Sequence, residues 1–464
     1  RTDAHRRRLF TRFVEEHLRE HGIEVREHEA IKCRGCGREI SEEVVHANIA
    51  AGEPDVVCQW CRTHTLISEG VAKIRERDPQ SDQKIYALRK EIVKRTAEDA
   101  EKAKQAIAAK NKVSEKNEPI RILHLSDLHF TKGTSPKTKL QWLLQDIRNG
   151  ESLGFDSVEY IVISGDITDK GNEEGFEKAR EFVSLLNEEL RVSAERCIFV
   201  PGNHDVQDME EVYDWHLSEA KAKKAYPDDQ HWHREGNVIF VPNKDKYPLR
   251  LKKFSDAFFH KIIAKAYPME YSLQGIAYLF PATCIQFVTL NSCWQIDQFN
   301  RKRSGVHPDA VAHVIAESER QIKDAIKRGE IKNGQRLLRI GVWHHSIAHP
   351  ETIRNTDFIG HLQNAGVRIC LHGDVHETNR EEFRYWHPKK MNVAGAGSFG
   401  SPPEGRPESM PRLYNLIEVK KDFSSVRVHT RRQMKPDGAW SAWNEWPRED
   451  GSPGGVPWYD INLI

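Results

Sequence analysis

Five apolar runs in this sequence end on Asp, His or Asn, and that repetition is what most narrows the folds open to the chain. RILHLSDLH delivers Asp127 and His129, YIVISGD delivers Asp166, and RCIFVPGNHD delivers Asn203, His204 and Asp205. RLLRIGVWHHS delivers His344 and His345, and VRICLHGDVH delivers His372, Asp374 and His376. The runs alternate with segments of helical period such as NEEGFEKAREFVSLLNEELR (172–191) and HPDAVAHVIAESERQIKDAIKRG (307–329). Strands alternating with helices predict an α/β domain whose sheets are covered by helices. In such sheets the C-terminal strand ends are where sites are built. A single Asp or His after a strand is usually a cap or turn residue, but five in this order are not coincidence. The interspersed glycines suit tight turns and close backbone approach. Oxygen and imidazole donors without sulfur point to two borderline divalent metals, Mn first, with Fe or Zn as alternatives.

The order D-x-H, GD, GNHD, HH, HG-D-x-H resembles that of the calcineurin-like metallophosphoesterase family, over about residues 118–464. The resemblance implies a four-layer α/β/β/α sandwich of two mixed sheets with a dinuclear metal centre at one edge. Carried over, Asp127, His129, Asp166 and His376 hold the first metal, and Asp166, Asn203 and His344 the second, with Asp166 bridging. His204 sits over the scissile phosphate, oriented by Asp205. Two cations so held acidify a shared water and neutralise phosphate charge. The departure is at 374: the family's last motif reads G-H-x-H, and here it reads Gly373-Asp374-Val375-His376. Asp374 therefore falls on the place of a second-metal histidine, where a carboxylate favours Mn or Mg over Zn. His345, beside His344, and His372 are the alternative ligands.

Ahead of this domain, CRGCGREI and CQWC place Cys33, Cys36, Cys58 and Cys61 in a C-x2-C-x21-C-x2-C pattern. Two such turns close a tetrahedral S4 site, so residues 31–70 read as a ribbon holding one structural zinc. Residues 1–30 read as the end of an upstream or N-terminal helical segment. Residues 71–117 read as a charged helical linker, a possible self-association surface. The chain opens at Arg1 rather than Met, so a region upstream is expected. A ribbon and charged helix before an effector domain look like modular bacterial conflict or defence proteins, which implies an upstream NTPase or sensor as partner.

Lys+Arg 70 against Asp+Glu 69 gives a net charge of +1, so no global basic character argues for nucleic acid. No apolar stretch reaches the ~20 residues of a membrane span, and no secretion signal opens the chain. Cys197, Cys284, Cys293 and Cys370 lie singly in apolar runs, as in a reducing, cytoplasmic protein. Residues 206–280 read as an insert-like lid or substrate region whose aromatics and lysines suit a nucleic-acid or nucleotide phosphodiester. The expected function is dinuclear-metal-dependent phosphodiester hydrolysis, of nuclease type. The alternatives are a hydrolase of cyclic nucleotides, small phosphodiesters or phosphomonoesters, and a degenerate domain used as a binding or oligomerisation scaffold.

Overall fold

The structure is a computed structural model. It describes residues 118–347 except 152, then 353, 355–375, 385–386, 391–401, 410–435, 438–448 and 451–463. Of the N-terminal part it describes 33, 36, 38, 40–41, 44–45, 55–58, 60–62 and 64–66. The chain forms two compact units, Arg1–Val113 and Ser114–Ile464. The helix expected over 1–30, the linker over 71–117 and the ligand His376 all lie outside the described residues.

In the first unit an antiparallel ribbon, Asp55–Val57 with His64–Leu66, accompanies a small core of Ile40, Val45, Val56, Cys33 and Cys58. Cys33 Sγ lies 3.4 Å from Cys61 Sγ and Cys36 Sγ 3.7 Å from Cys58 Sγ, with all four sulfurs within 4.8 Å of one another. The Arg38 backbone N–H draws the Cys36 thiol down, but burial and the three neighbouring sulfurs push it up to about 11. Four sulfurs crowded this closely fit a small zinc-binding module, because a cation relieves the cost of ionising them together.

The second unit is layered because its strands send alternate side chains to two cores. In β1 (Ile120–Leu125) Ile120 and Ile122 enter one core and Leu123 and Leu125 the other. In β2 (Tyr160–Ser164) Tyr160 and Val162 divide from Ile161 and Ile163 in the same way. With β3 (Cys197–Val200) these form the parallel half of the first sheet. The second sheet contains β4 (Gly275–Phe280), β5 (Ile285–Leu290), β6 (Leu338–Val342), β7 (Val367–Val375) and β8 (Met391–Gly397). Its β5, β6, β7 and β8 run parallel, and β4 closes one edge antiparallel. The first sheet is completed by β9 (Arg412–Val419), antiparallel to β1, and then by β10 (Ser425–Gln433) and β11 (Trp458–Asn462).

Between the sheets lie Val162, Ile198, Phe287, Ile340, Leu371 and Leu413. Helices α1 (Pro136–Asn149) and α2 (Glu173–Leu190) cover the outer face of the first sheet, through Leu143, Ile147, Phe176 and Phe182. Helices α3 (Pro308–Lys327) and α4 (Asp357–Asn364) cover the second sheet through Val314, Ile359 and Leu362. The α/β/β/α sandwich is thus present. Helix α2 forms where sequence period and caps agree: Phe176, Ala179, Val183, Leu186 and Leu190 share a buried face, and Asn172 Oδ1 accepts the Gly175 N–H at 3.2 Å.

The stretch expected to form a lid divides in two. Tyr213–His216, Val238–Pro242 and His233–Glu235 make a separate three-stranded sheet, followed in the chain by aromatics that leave it. Leu251, Phe254, Phe258, Phe259 and Tyr267 are core residues of the sandwich, packed with Phe176 and Phe199. That part of the stretch holds up the fold rather than covering a substrate. In the Trp-rich tail, Trp440 belongs to the core shared with α1 and α2, and Trp443 and Trp446 to the core between the sheets.

Candidate metal centre

The strand ends meet because the two sheets lean together at their C-terminal edge. Past β1 the backbone continues beside the exit of β2: Asp127 N–H donates to Gly165 O (3.0 Å) and His129 N–H to Asp166 O (3.0 Å). From the second sheet, His344 Nδ1–H donates to Ser164 O at 2.6 Å. That bond fixes the tautomer and leaves the Nε2 lone pair facing the site. Gly165 allows the contact: its φ is +94° and a Cβ there would stand 2.5 Å from His344 Nδ1. Gly202 is required for a related reason, since its Cβ would fall 2.1 Å from Asp166 Oδ1.

Asp166 lies at the middle of the constellation. Its Oδ1 accepts the His204 N–H at 2.7 Å, and its Oδ2 lies 3.4 Å from His344 Nε2 and 3.9 Å from His129 Nε2. His344 Nε2 is also 3.1 Å from Asn203 Oδ1, and His129 Nε2 is 4.0 Å from Asp127 Oδ1. Donor atoms of Asp127, Asp166 and His344 lie within 4.8 Å of one another, and so do those of His344, His345 and Asp374. The carboxylate at 374 thus faces the corner where a second-metal histidine was expected, and its N–H donates to Asp127 Oδ2 at 3.3 Å.

The residues fit a dinuclear divalent centre. Asp127 is fully buried, and its Oδ1 has no hydrogen-bond partner among the described residues. A buried carboxylate oxygen is costly unless a cation or donor meets it. Burial keeps the His129 imidazole below its usual range although Asp166 and Asp127 pull it upward, so a neutral ring is available to ligate. Burial also opposes charge on Asp166 and His344, but their mutual attraction prevails. Asp166 is held well below the carboxylate range and His344 well above the imidazole range. A cation seated here competes with that proton.

His204 has a different partner from the one expected. Its Nδ1 lies 3.1 Å from Asp169 Oδ1, and its ring meets His129 edge-on at 4.7 Å. The charge of Asp166, against burial and together with the Asp169 hydrogen bond, raises its pKa. Asp205 does not orient it. Its buried carboxylate accepts N–H donors from Gly202 (2.9 Å), Ile167 (3.1 Å) and Thr168 (3.0 Å), tying the third strand exit to the second. Burial and the charge of Asp166 push Asp205 up to about 7 against the pull of those donors. The expectation failed because neighbours in a tight 3-10 turn, Asn203–Asp205, point apart. Asp169 was missed, although its place three residues after Asp166 in GDITD was the available signal.

Of the two alternative histidines, His345 stands in the cluster with His344 and Asp374, while no such cluster among the described residues includes His372. His345 Nδ1 is bonded to Ser292 Oγ at 2.8 Å, and burial beside His344 brings it down to about 4. His372 is wholly buried, its Nδ1 bonded to Gly373 O at 2.9 Å.

Beside the centre, a cavity of about 420 Å3 opens on His129 and Asp169 and runs back between α1 and the Trp440 segment.

Comparison with known proteins agrees with this geometry. The chain matches the Calcineurin-like phosphoesterase family over residues 120–378. The Bacillus subtilis (strain 168) protein YydB, described as an uncharacterized metallophosphoesterase-like protein, is 22% identical over 264 residues, or 56% of this chain and 49% of YydB. The match therefore spans about half of that relative. Among solved structures, Vacuolar Protein Sorting 29 from Cryptosporidium parvum is 10% identical with a TM-score of 0.31, covering 74% of this chain and 99% of that one. A protein serine/threonine phosphatase from Saccharomyces cerevisiae is 11% identical with a TM-score of 0.26, covering 65% and 73%. With more than half its length matched and its strand-end motifs gathered at one edge, the chain belongs to the calcineurin-like phosphoesterase family.

Proposed function

We propose that the protein is a dinuclear-metal-dependent phosphodiesterase of nuclease type. The observation that carries this reading is Asp166, whose Oδ2 lies within reach of both His344 Nε2 (3.4 Å) and His129 Nε2 (3.9 Å). Asp127, His129, Asp166 and His376 would hold one cation, and Asp166, Asn203, His344 and Asp374 the other, with Mn the best match to this oxygen-rich set. Bound cations would supply neutralisation of phosphate charge and acidification of an attacking water. The protein's own contribution is to hold these donors rigidly and to place His204 at the mouth. With Nδ1 anchored on Asp169, Nε2 is the nitrogen left to give a proton to the leaving oxygen.

Exposed Trp215 and Leu217 precede a short helix, Glu219–Ala225, carrying exposed Lys221, Lys223 and Lys224. An aromatic next to ammonium groups is what single-stranded nucleic acid recognises, and this supports the nuclease reading. Cys197, Cys284, Cys293 and Cys370 lie singly and buried, which supports a reducing, cytoplasmic setting. None of the described helices is long and apolar enough to cross a membrane. A four-thiol module ahead of the phosphoesterase unit supports a defence effector coupled to an upstream sensor, with the linker as an oligomerisation element.

The test is hydrolysis of bis-p-nitrophenyl phosphate, single-stranded DNA, duplex DNA and RNA with added Mn, against an Asp166→Ala control. Mn-dependent turnover lost in the control is expected. No turnover of any of the four would overturn the reading in favour of a binding scaffold.

A further inference from the structure

We propose that the cavity beside His129 and Asp169 binds the nucleoside next to the scissile phosphate, and so selects a single unstacked nucleotide; this rests on the phosphoesterase reading. At about 420 Å3 it lies within the ~300–1,000 Å3 range of small-ligand sites. Its position matters first. His129 lines it while standing 3.9 Å from Asp166 Oδ2, so the cavity adjoins the centre where a scissile phosphate would bind.

Its walls ask for a flat ring. Trp142 on α1 and Trp440 both line it, and Trp440 is held rigid by stacking on Phe399 at 5.2 Å and 12°. Pre-stacked aromatics lose little freedom when a further ring packs against them. The floor, by contrast, is polar. Arg412 is buried, with Nε and Nη2 on Ser401 O and Nη1 on Gln433 Oε1, and both side chains line the cavity. These groups are already paired within the protein, so it is the two indoles that discriminate, and an acyl chain offers them no flat face. A phosphorylated serine or threonine side chain has no ring for the indoles. A nucleobase supplies such a ring to the indoles lining the cavity. The rim adds the hydroxyls of Thr134 and Thr138, suited to a sugar, at the start of α1.

One such cavity takes one base, which must be free of its duplex neighbours. The chemistry is therefore a nucleoside phosphoester from either of two sources, the end of a strand or a free cyclic nucleotide.

Calorimetric titration of the Mn-loaded full chain with 5′-AMP, 5′-GMP, 5′-CMP and 5′-UMP, against ribose 5-phosphate, reads the base alone. At least one nucleotide should bind on the order of tenfold tighter than ribose 5-phosphate. Trp142→Ala should remove that margin and Trp142→Phe restore most of it. Should Trp142→Ala fail to fold, Thr138→Trp fills the cavity from an exposed position and should remove the same margin. Equal affinity for nucleotides and ribose 5-phosphate, or a margin untouched by these variants, overturns the proposal. Bis-p-nitrophenyl phosphate carries no base, so its failure to turn over would count against the phosphoesterase reading alone. Mononucleotide release from single-stranded ends, against hydrolysis of 3′,5′-cyclic AMP, separates the two sources. Cleavage confined to duplex interiors would also overturn the proposal.

Discussion

Replacing Asp169 with Asn tests the finding on which the proton-transfer reading depends. Asn is isosteric and keeps an oxygen for the 3.1 Å contact with His204 Nδ1, so the ring stays oriented while the charge behind it is lost. A hydrogen bond to a charged group is worth ~1.5–3 kcal/mol when shielded. Here the side chains are 36% and 43% exposed, and solvent screening brings the value to about 1 kcal/mol. If it acts fully in the transition state, kcat/KM falls about fivefold. The pH dependence has a definite sign. His204 must be protonated to act as an acid, and Asp166 first, then Asp169, hold its pKa above the usual range. Rate is therefore lost as pH rises through the His204 pKa, and Asp169→Asn should move this limb to lower pH. The deficit should grow toward alkaline pH and close on the acid side. The assay must use a dinucleoside monophosphate, whose alkoxide needs a proton. With bis-p-nitrophenyl phosphate the leaving group departs unaided, and the effect should be muted. Asp205→Asn is the control: it disturbs three backbone N–H partners and should lower the melting temperature, while moving the limb less than Asp169→Asn because its charge is the smallest contribution on His204. An unmoved limb in Asp169→Asn with a moved one in Asp205→Asn would refute the assignment.

Three other outcomes are expected. Asp374→His should raise retained Zn or Fe relative to Mn, read by elemental analysis after dialysis, and unchanged content would show that the aspartate already serves. Asp146→Asn should destabilise the second unit by ~3–5 kcal/mol in urea unfolding, because it leaves buried Arg431 without the carboxylate that takes both its Nε (2.8 Å) and Nη2 (2.6 Å). Cys58→Ser should lower zinc content by about one equivalent per chain, since a tetrahedral site does not close on three thiols.

The strand exits were legible because their signal is doubled: an apolar run marks the strand, and a Gly with Asp, His or Asn marks its end. The later strands were not, because their buried positions are polar. In β9 and β10, Asn415, His429, Thr430 and Arg431 are buried, each satisfied by a partner distant in sequence or on a neighbouring strand. Tyr414 O–H and Arg431 both reach Asp146 of α1, a helix whose charged surface hid it from a reading by apolar period. The aromatics of 251–267 failed the opposite way. Lysines among them suggested a surface, but the Phe residues face inward while Lys252, Lys261 and Lys265 face out. Composition marks which residues are together in a segment, and only tertiary packing decides which side they take.

Backbone strain bears on the one departure from the family pattern. Ten described non-glycine residues have positive φ, and four of them are Asp127 (53°), His129 (45°), Asp166 (52°) and Asp374 (54°). A left-handed residue costs ~1–2 kcal/mol, so their concentration in one site requires something that holds them there. The parallel strand exits hold the first three through the bonds from Asp127 and His129 to Gly165 and Asp166. Asp374 is held by its N–H to Asp127 Oδ2, at a position where a glycine would relax the strain. Its carboxylate faces His344 and His345, whose imidazoles its charge pulls upward, so it stands where a cation replacing their protons would find a third donor. Persistence of the strained geometry with the carboxylate turned inward favours a working ligand over a decayed one. It also makes Asp374→His a clean substitution, because Asp and His both tolerate the left-handed region and the exchange changes the donor atom without asking the backbone to move.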